Sequence, residues 1–87
     1  MTDLKRTDDE EMSFSSGVAA FEAKHFSRAI QLLSPFADQG DMMAQHMLAI
    51  MYQNGLGITK NDDRAHYWML KSAEQNYAIA QHGIGFM

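Results

Sequence analysis

The sequence predicts an all-α fold of helical hairpins stacked side by side, and three features carry that expectation. Apolar residues recur three and four apart on either side of the stretch Asn54-Gly55-Leu56-Gly57-Ile58, with Leu48, Met51 and Tyr52 before it and Ala65, Trp68, Met69 and Ser72-Ala73 after it. The two glycines between these runs stop the first helix, and Asn61, Asp62 and Asp63 supply cap and first-turn residues for the second. A shift of 36 residues lays the chain on itself with eight identities over the 25 overlapping positions from Ser27 to Met51. Unrelated segments would share about one or two, so the unit of helix, loop and helix repeats.

Taken in order, residues 1–6 read as a disordered lead-in. Thr7 and Glu10 have capping-box spacing, and Asp8, Asp9, Glu10 and Glu11 crowd a first turn where the helix dipole favours acids. Phe14, Val18 and Phe21 then share one face of a helix that reaches about Ala23, and Lys24-His25 makes a short turn. A second helix runs from about Phe26 to Asp38 with Ala29, Ile30, Leu32, Leu33 and Phe36, and Pro35 inside it predicts a bend or an early end. Gly40 is placed as a stop and Asp41 as the cap of a third helix over 42–53. The fourth helix spans about 62–75, Asn76 takes the stop position, and a fifth runs from Tyr77 to the end. Five helices with short connections lie antiparallel to their neighbours. Residues 7–87 form a single domain: repeat one over about 7–40, repeat two over about 41–76, and a half repeat over 77–87.

Charge and composition exclude several functions. The formal charge of −4 is concentrated near the start, since Asp3, Asp8, Asp9, Glu10 and Glu11 outweigh Lys5 and Arg6 by three within residues 1–12. There is no basic stripe to neutralise phosphates, which argues against a nucleic-acid partner. Without cysteine the chain forms no disulfide and no thiolate metal site. The start lacks the apolar core of a signal peptide and no run reaches spanning length, so a cytoplasmic protein with no membrane partner is expected.

The repeated identities are Arg28-Ala29 on Arg64-Ala65, Ala37 on Ala73, Gln39 on Gln75, Ala44-Gln45-His46 on Ala80-Gln81-His82, and Met51 on Met87. Recurrent alanines suit closely crossing helices, and repeats of this length stack into a solenoid. The run from Ala44 through Leu48-Ala49, Tyr52, Gly55-Leu56-Gly57-Ile58, Asn61, Arg64-Ala65, Trp68, Lys71-Ser72-Ala73 and Gln75-Asn76 resembles a Sel1-like repeat. It departs from that family's pattern conservatively, at Ala49, Ile58, Asn61, Arg64, Ser72 and Asn76. Gly17, Phe21, Phe26 and Ala29 resemble instead the related tetratricopeptide pattern, whose turn is shorter. The resemblance covers about residues 12–87. It implies a right-handed superhelix of helix pairs and a non-catalytic protein-binding scaffold, often an adaptor, that takes no cofactor.

In such solenoids the first helix of each pair lines the concave surface where partners dock. Matching residue to residue places there Glu11, Phe14, Val18 and Glu22, then Met43, His46, Ile50, Gln53 and Asn54, then Ile79, His82 and Phe86. The mixture of apolar, amide and imidazole groups suits a peptide or helix laid in a groove. Against this, several of these side chains would simply pack between neighbouring helices. His46 and His82 make half a zinc site at most, with no third ligand in sequence. Met43, Met47 and Met51 with His46 have the donors for Cu(I), yet a methionine stripe at helical spacing is more often core filler. The alternatives to a scaffold are thus a small helical binder of metal or ligand, or an oligomerisation module. Gly55-Leu56-Gly57 follows a helix and has Lys60 where a nucleotide loop needs its third glycine. Tyr52 and Trp68 read as helix-packing residues, and His25 and His66 have no Ser or Cys partner, so no enzyme is expected. The last residues, Gly83-Ile84-Gly85-Phe86-Met87, are apolar and stop mid-repeat. A fragment of a longer array is the favoured explanation over burial against a partner, and both predict self-association.

Overall fold

A computed structural model describes residues 7–75 and places four helices in them: α1 (Asp8–Glu22), α2 (Phe26–Asp38), α3 (Met42–Asn54) and α4 (Asp62–Glu74). Among the described residues there is no strand, and the fold is an all-α stack of helix pairs. The expected stop at Asn76 and the helix from Tyr77 lie outside the described residues, as does the lead-in 1–6.

Local chemistry sets these bounds. The Thr7 hydroxyl accepts from Glu10 N at 3.2 Å, and the Glu10 carboxylate accepts from Thr7 N at 2.9 Å, which completes the capping box. Asp41 Oδ1 accepts from Ala44 N at 2.8 Å and Asn61 Oδ1 from Arg64 N at 3.0 Å, and a cap of this kind contributes about 1 kcal/mol. Helix ends follow one pattern as well. Lys24, Gly40 and Gly55 all take positive φ (66°, 101° and 66°). The next amide then reaches back: His25 N to Ala20 O, Asp41 N to Phe36 O and Leu56 N to Met51 O, at 2.8 to 2.9 Å. At Lys24 a residue with a Cβ does what glycine does at the other two ends. Pro35 does not end α2, which runs on to Asp38; its exposed ring lies in the closing turns, where the helix has few bonds left to lose.

Each helix packs on the next, which is how antiparallel hairpins stack. The main core joins Ala20 of α1, Ala29, Leu33, Phe36 and Ala37 of α2, and Ala44, Leu48 and Met51 of α3. Trp68 packs against this cluster and against a second one of Ala49 and Met69, as expected of a residue that ties α4 to α3. The connection 55–61 is four residues longer than the turn 23–25, so α1 matches α3 at an offset of 32 while α2 matches α4 at 36. With these offsets the crossing points correspond. A Cβ on Gly17 would stand 2.7 Å from Leu33 Cδ2, and in the second hairpin Ala49 meets Met69 at the equivalent place.

The glycine loop of the second hairpin rests on the first. A Cβ on Gly57 would stand 2.6 Å from Ser27 N and 2.7 Å from Phe26 C, so the loop lies directly on the backbone that opens α2. Ser27 Oγ also donates to Gly57 O, at a long 3.4 Å. Buried Gln45 adds a second tie, donating through Nε2 to Ala37 O at 3.0 Å. Within the second hairpin Ser72 Oγ donates to Met42 O at 2.7 Å. Gly57→Ala is expected to cost more than about 2 kcal/mol, because the left-handed backbone (φ 71°) and the collision with α2 both oppose it. Gly40→Ala, with positive φ but open space around it, should cost about 1 kcal/mol. Urea unfolding of both variants checks the ranking, and equal losses would refute it.

Candidate functional site

α3 divides into two faces. Ala44, Gln45, Leu48 and Met51 are buried, whereas Met43, His46, Ile50 and Gln53, spaced by three, four and three, remain partly open. Met43 is the most accessible of these at 38%. The offset of 32 lines Glu11, Phe14, Val18 and Glu22 of α1 with Met43, His46, Ile50 and Asn54 of α3, and burial follows the match. Phe14 and Val18 are half-buried like His46 and Ile50, and Glu11, Glu22 and Asn54 are exposed. Phe14 and Val18 both pack on the core, and the Phe14 ring meets Phe36 edge-on with centroids 5.4 Å apart. These two side chains therefore serve the fold and leave only their outer surface to the stripe. Asn54 Nδ2 donates to Ile50 O at 3.0 Å within its own helix. Ile79, His82 and Phe86 lie outside the described residues.

Burial removes water from the His46 ring and holds its pKa below the ordinary 6.5. The methionines do not share one environment: Met51 is fully buried in the core, Met47 packs beside it, and Met43 is exposed. Among the described residues no three His, Asp or Glu side chains come together. Tyr52 joins the core, with the Arg64 guanidinium 5.8 Å from its ring centroid. Gly57 faces the start of α2, which fills the space a phosphate would need.

Two features escape the residue pattern. Gln45 is 4% exposed, and its Oε1 accepts from Gln75 Nε2 at 2.9 Å, while Gln75 Nε2 also donates to Gly40 O at 2.8 Å. The signal for this tie is the repeated Ala-Gln-His, since a polar residue recurring on an apolar face has bonding work there. Tyr67 and Leu70 are 52% and 41% exposed on α4, away from the stripe.

The sequence profile of the Sel1 repeat matches residues 26–41 and 43–77, more than half of the chain. This chain belongs to the Sel1 repeat family. The second match takes in α3, the glycine loop and α4; the first takes in α2, and α1 lies outside both. Over 40 residues, 46% of its length, the chain is 48% identical to a sel1-like repeat-containing protein of Acanthamoeba polyphaga mimivirus. That aligned stretch spans 7% of the viral protein. Sel1 repeats generally mediate protein–protein interaction and are generally non-catalytic. Among the described residues no helix is long and apolar enough to cross a membrane.

The lowered pKa of His46 predicts that the stability of this Sel1 repeat chain depends on pH with a definite sign. Its pKa is lowered on folding, so as pH falls through 6.5 the unfolded chain takes the proton first and stability declines. The decline ends once the folded pKa is passed. Urea unfolding at about pH 7.5 and about pH 5.5 should show a larger loss for the natural chain than for His46→Gln. An equal loss in both would remove His46 as the cause.

Proposed function

We propose that this chain is a non-catalytic scaffold that binds a peptide or helix of another protein along the stripe shared by α1 and α3. One observation carries the reading. Met43, His46, Ile50 and Gln53 stay partly open on α3 in the register that aligns with Phe14 and Val18 on α1, while Ala44, Leu48, Ala49 and Met51 of the same helix are buried. Thioether and aliphatic groups in the middle offer an adaptable apolar contact. The Gln53 amide and the carboxylates of Glu11 and Glu22 stand around it and fix orientation. An amphipathic helix laid along the stripe would bury anchors spaced by three and four residues. Membership of a family whose repeats generally bind proteins supports the same reading.

Peptides selected from a random library on the 87-residue chain test it. Met43→Ser combined with Ile50→Thr should weaken the selected binders about tenfold or more, with helix content and thermal midpoint nearly unchanged. Selected peptides that bind this well-folded variant as tightly as the natural chain would remove the stripe from the account.

A further inference from the structure

A second surface, on the side of α2 and α4, has the makings of a recognition track that does not involve the α1–α3 stripe. Two cavities lie there, of about 290 Å³ and about 340 Å³. The first is framed by Ser13 of α1 with Gln31, Leu32 and Pro35 of α2 and Gln39 just past its end. The second is framed by Gln45 of α3 with Tyr67, Trp68 and Lys71 of α4 and Gln75 just past its end. Ser13 and Gln45 correspond at the offset of 32, and the four remaining pairs correspond at 36. These are one place in two successive repeats, so a chain crossing the first meets the second one repeat later.

Their chemistry differs in a way that specifies an occupant. The first has an apolar floor of Leu32, Pro35 and Phe36, with Asp9 and Glu10 at its edge. In the second, the C-terminal turns of both α2 and α4 converge, bringing Asp38 and Glu74 with them. Those turns already carry the negative end of the helix dipole, so two carboxylates there raise the free energy of the unbound protein. Asp9 and Glu10 are accounted for by their position in the first turn of α1; Asp38 and Glu74 have no such account in the fold. The aromatic wall also attracts cations, since the Lys71 ammonium lies 5.5 Å from the centroid of the half-exposed Tyr67 ring. Four carboxylates against one ammonium edge the two cavities.

We propose that this surface docks a basic, extended segment of a partner protein. An arginine or lysine side chain enters between Asp38, Glu74 and Tyr67, and an apolar side chain covers Leu32 and Pro35. The attraction is electrostatic at the second cavity and hydrophobic at the first, so both binding and its salt dependence belong to the prediction.

The probe is a fluorescein-labelled hexapeptide of alternating leucine and arginine, titrated into the 87-residue chain, with the leucine–glutamate hexapeptide as control. The basic peptide should bind, shift backbone amides of Asp38–Gly40 and Tyr67–Gln75, and weaken as salt is raised. Asp38→Asn with Glu74→Gln should lower its affinity about tenfold. The thermal midpoint should hold or rise, because two charges leave disfavoured helix ends. Tyr67→Ser, an exposed change, should weaken the peptide too, and Met43→Ser with Ile50→Thr should leave it unaffected. The proposal is overturned if the glutamate peptide binds equally, if the doubly neutralised chain keeps its affinity, if the shifts fall on α1 and α3, or if millimolar basic peptide produces no shift. Loss of the basic peptide in the Met43 and Ile50 variant would place it on the α1–α3 stripe and overturn the proposal as well.

Discussion

The contact on which this structure turns is that of the loop after α3 with the backbone that begins α2. Gly57 sits so near Phe26 and Ser27 that no side chain fits between. Because α2 lies in the first hairpin and the loop in the second, the contact sets how far apart the hairpins stand. The rest of the interface conforms to that spacing. Ala29, Ala37 and Ala44 are essentially inaccessible, and residues of that size let α2 and α3 approach closely. Had any of the three been larger, the loop could not have rested on α2 without a shift of one hairpin against the other.

Polar side chains complete what the small ones permit. The last carbonyls of a helix have no partner within it. Gln45 donates to Ala37 O at the end of α2 and Gln75 to Gly40 O just beyond it, while Ser72 ties α4 to Met42 O at the start of α3. Gln45 also accepts from Gln75, so its amide links the end of the first hairpin to the end of the second. The stack is therefore held by apolar burial along its middle and by amide bonds at its turns. This division leaves α3 partly open from Met42 to Gln53, and leaves Tyr67 and Leu70 of α4 exposed.

Helix bounds were legible because caps and stops act over three to five residues: Thr7 with Glu10, Asp41 with Ala44, Asn61 with Arg64. The close approach of Gly57 to α2 was not legible, since its partners lie thirty positions earlier and a glycine shows only that something small is needed. Lys24 was hidden for the opposite reason: nothing about lysine announces a left-handed backbone, which the 6→1 bond of His25 imposes. Pro35 reads as a breaker, yet near the end of α2 it displaces too few bonds to stop the helix. For the candidate stripe, the residue matching named Met43, His46, Ile50 and Gln53, which are partly open, but not Met42 and Met47, which are open too. It did not show that Phe14 is tied edge-on to Phe36, because that contact depends on where α2 crosses α1. The cavities beside α2 and α4 left only Gln39 and Gln75 as repeated letters, since surface walls of equal shape tolerate different residues.

If the loop contact and the amide ties do couple the hairpins, the second cannot survive loss of the first. Trp68, the only tryptophan in the sequence, reports on the second hairpin, while circular dichroism reports on all helices. Leu33 is fully buried in the first hairpin, and truncating it to alanine removes about 2–5 kcal/mol from such a site. The decisive measurement is denaturant unfolding of Leu33→Ala followed by both signals. The account predicts that the Trp68 transition moves to lower denaturant together with the dichroism transition. A Trp68 transition that stays where it was in the natural chain would show two independent hairpins and contradict the account.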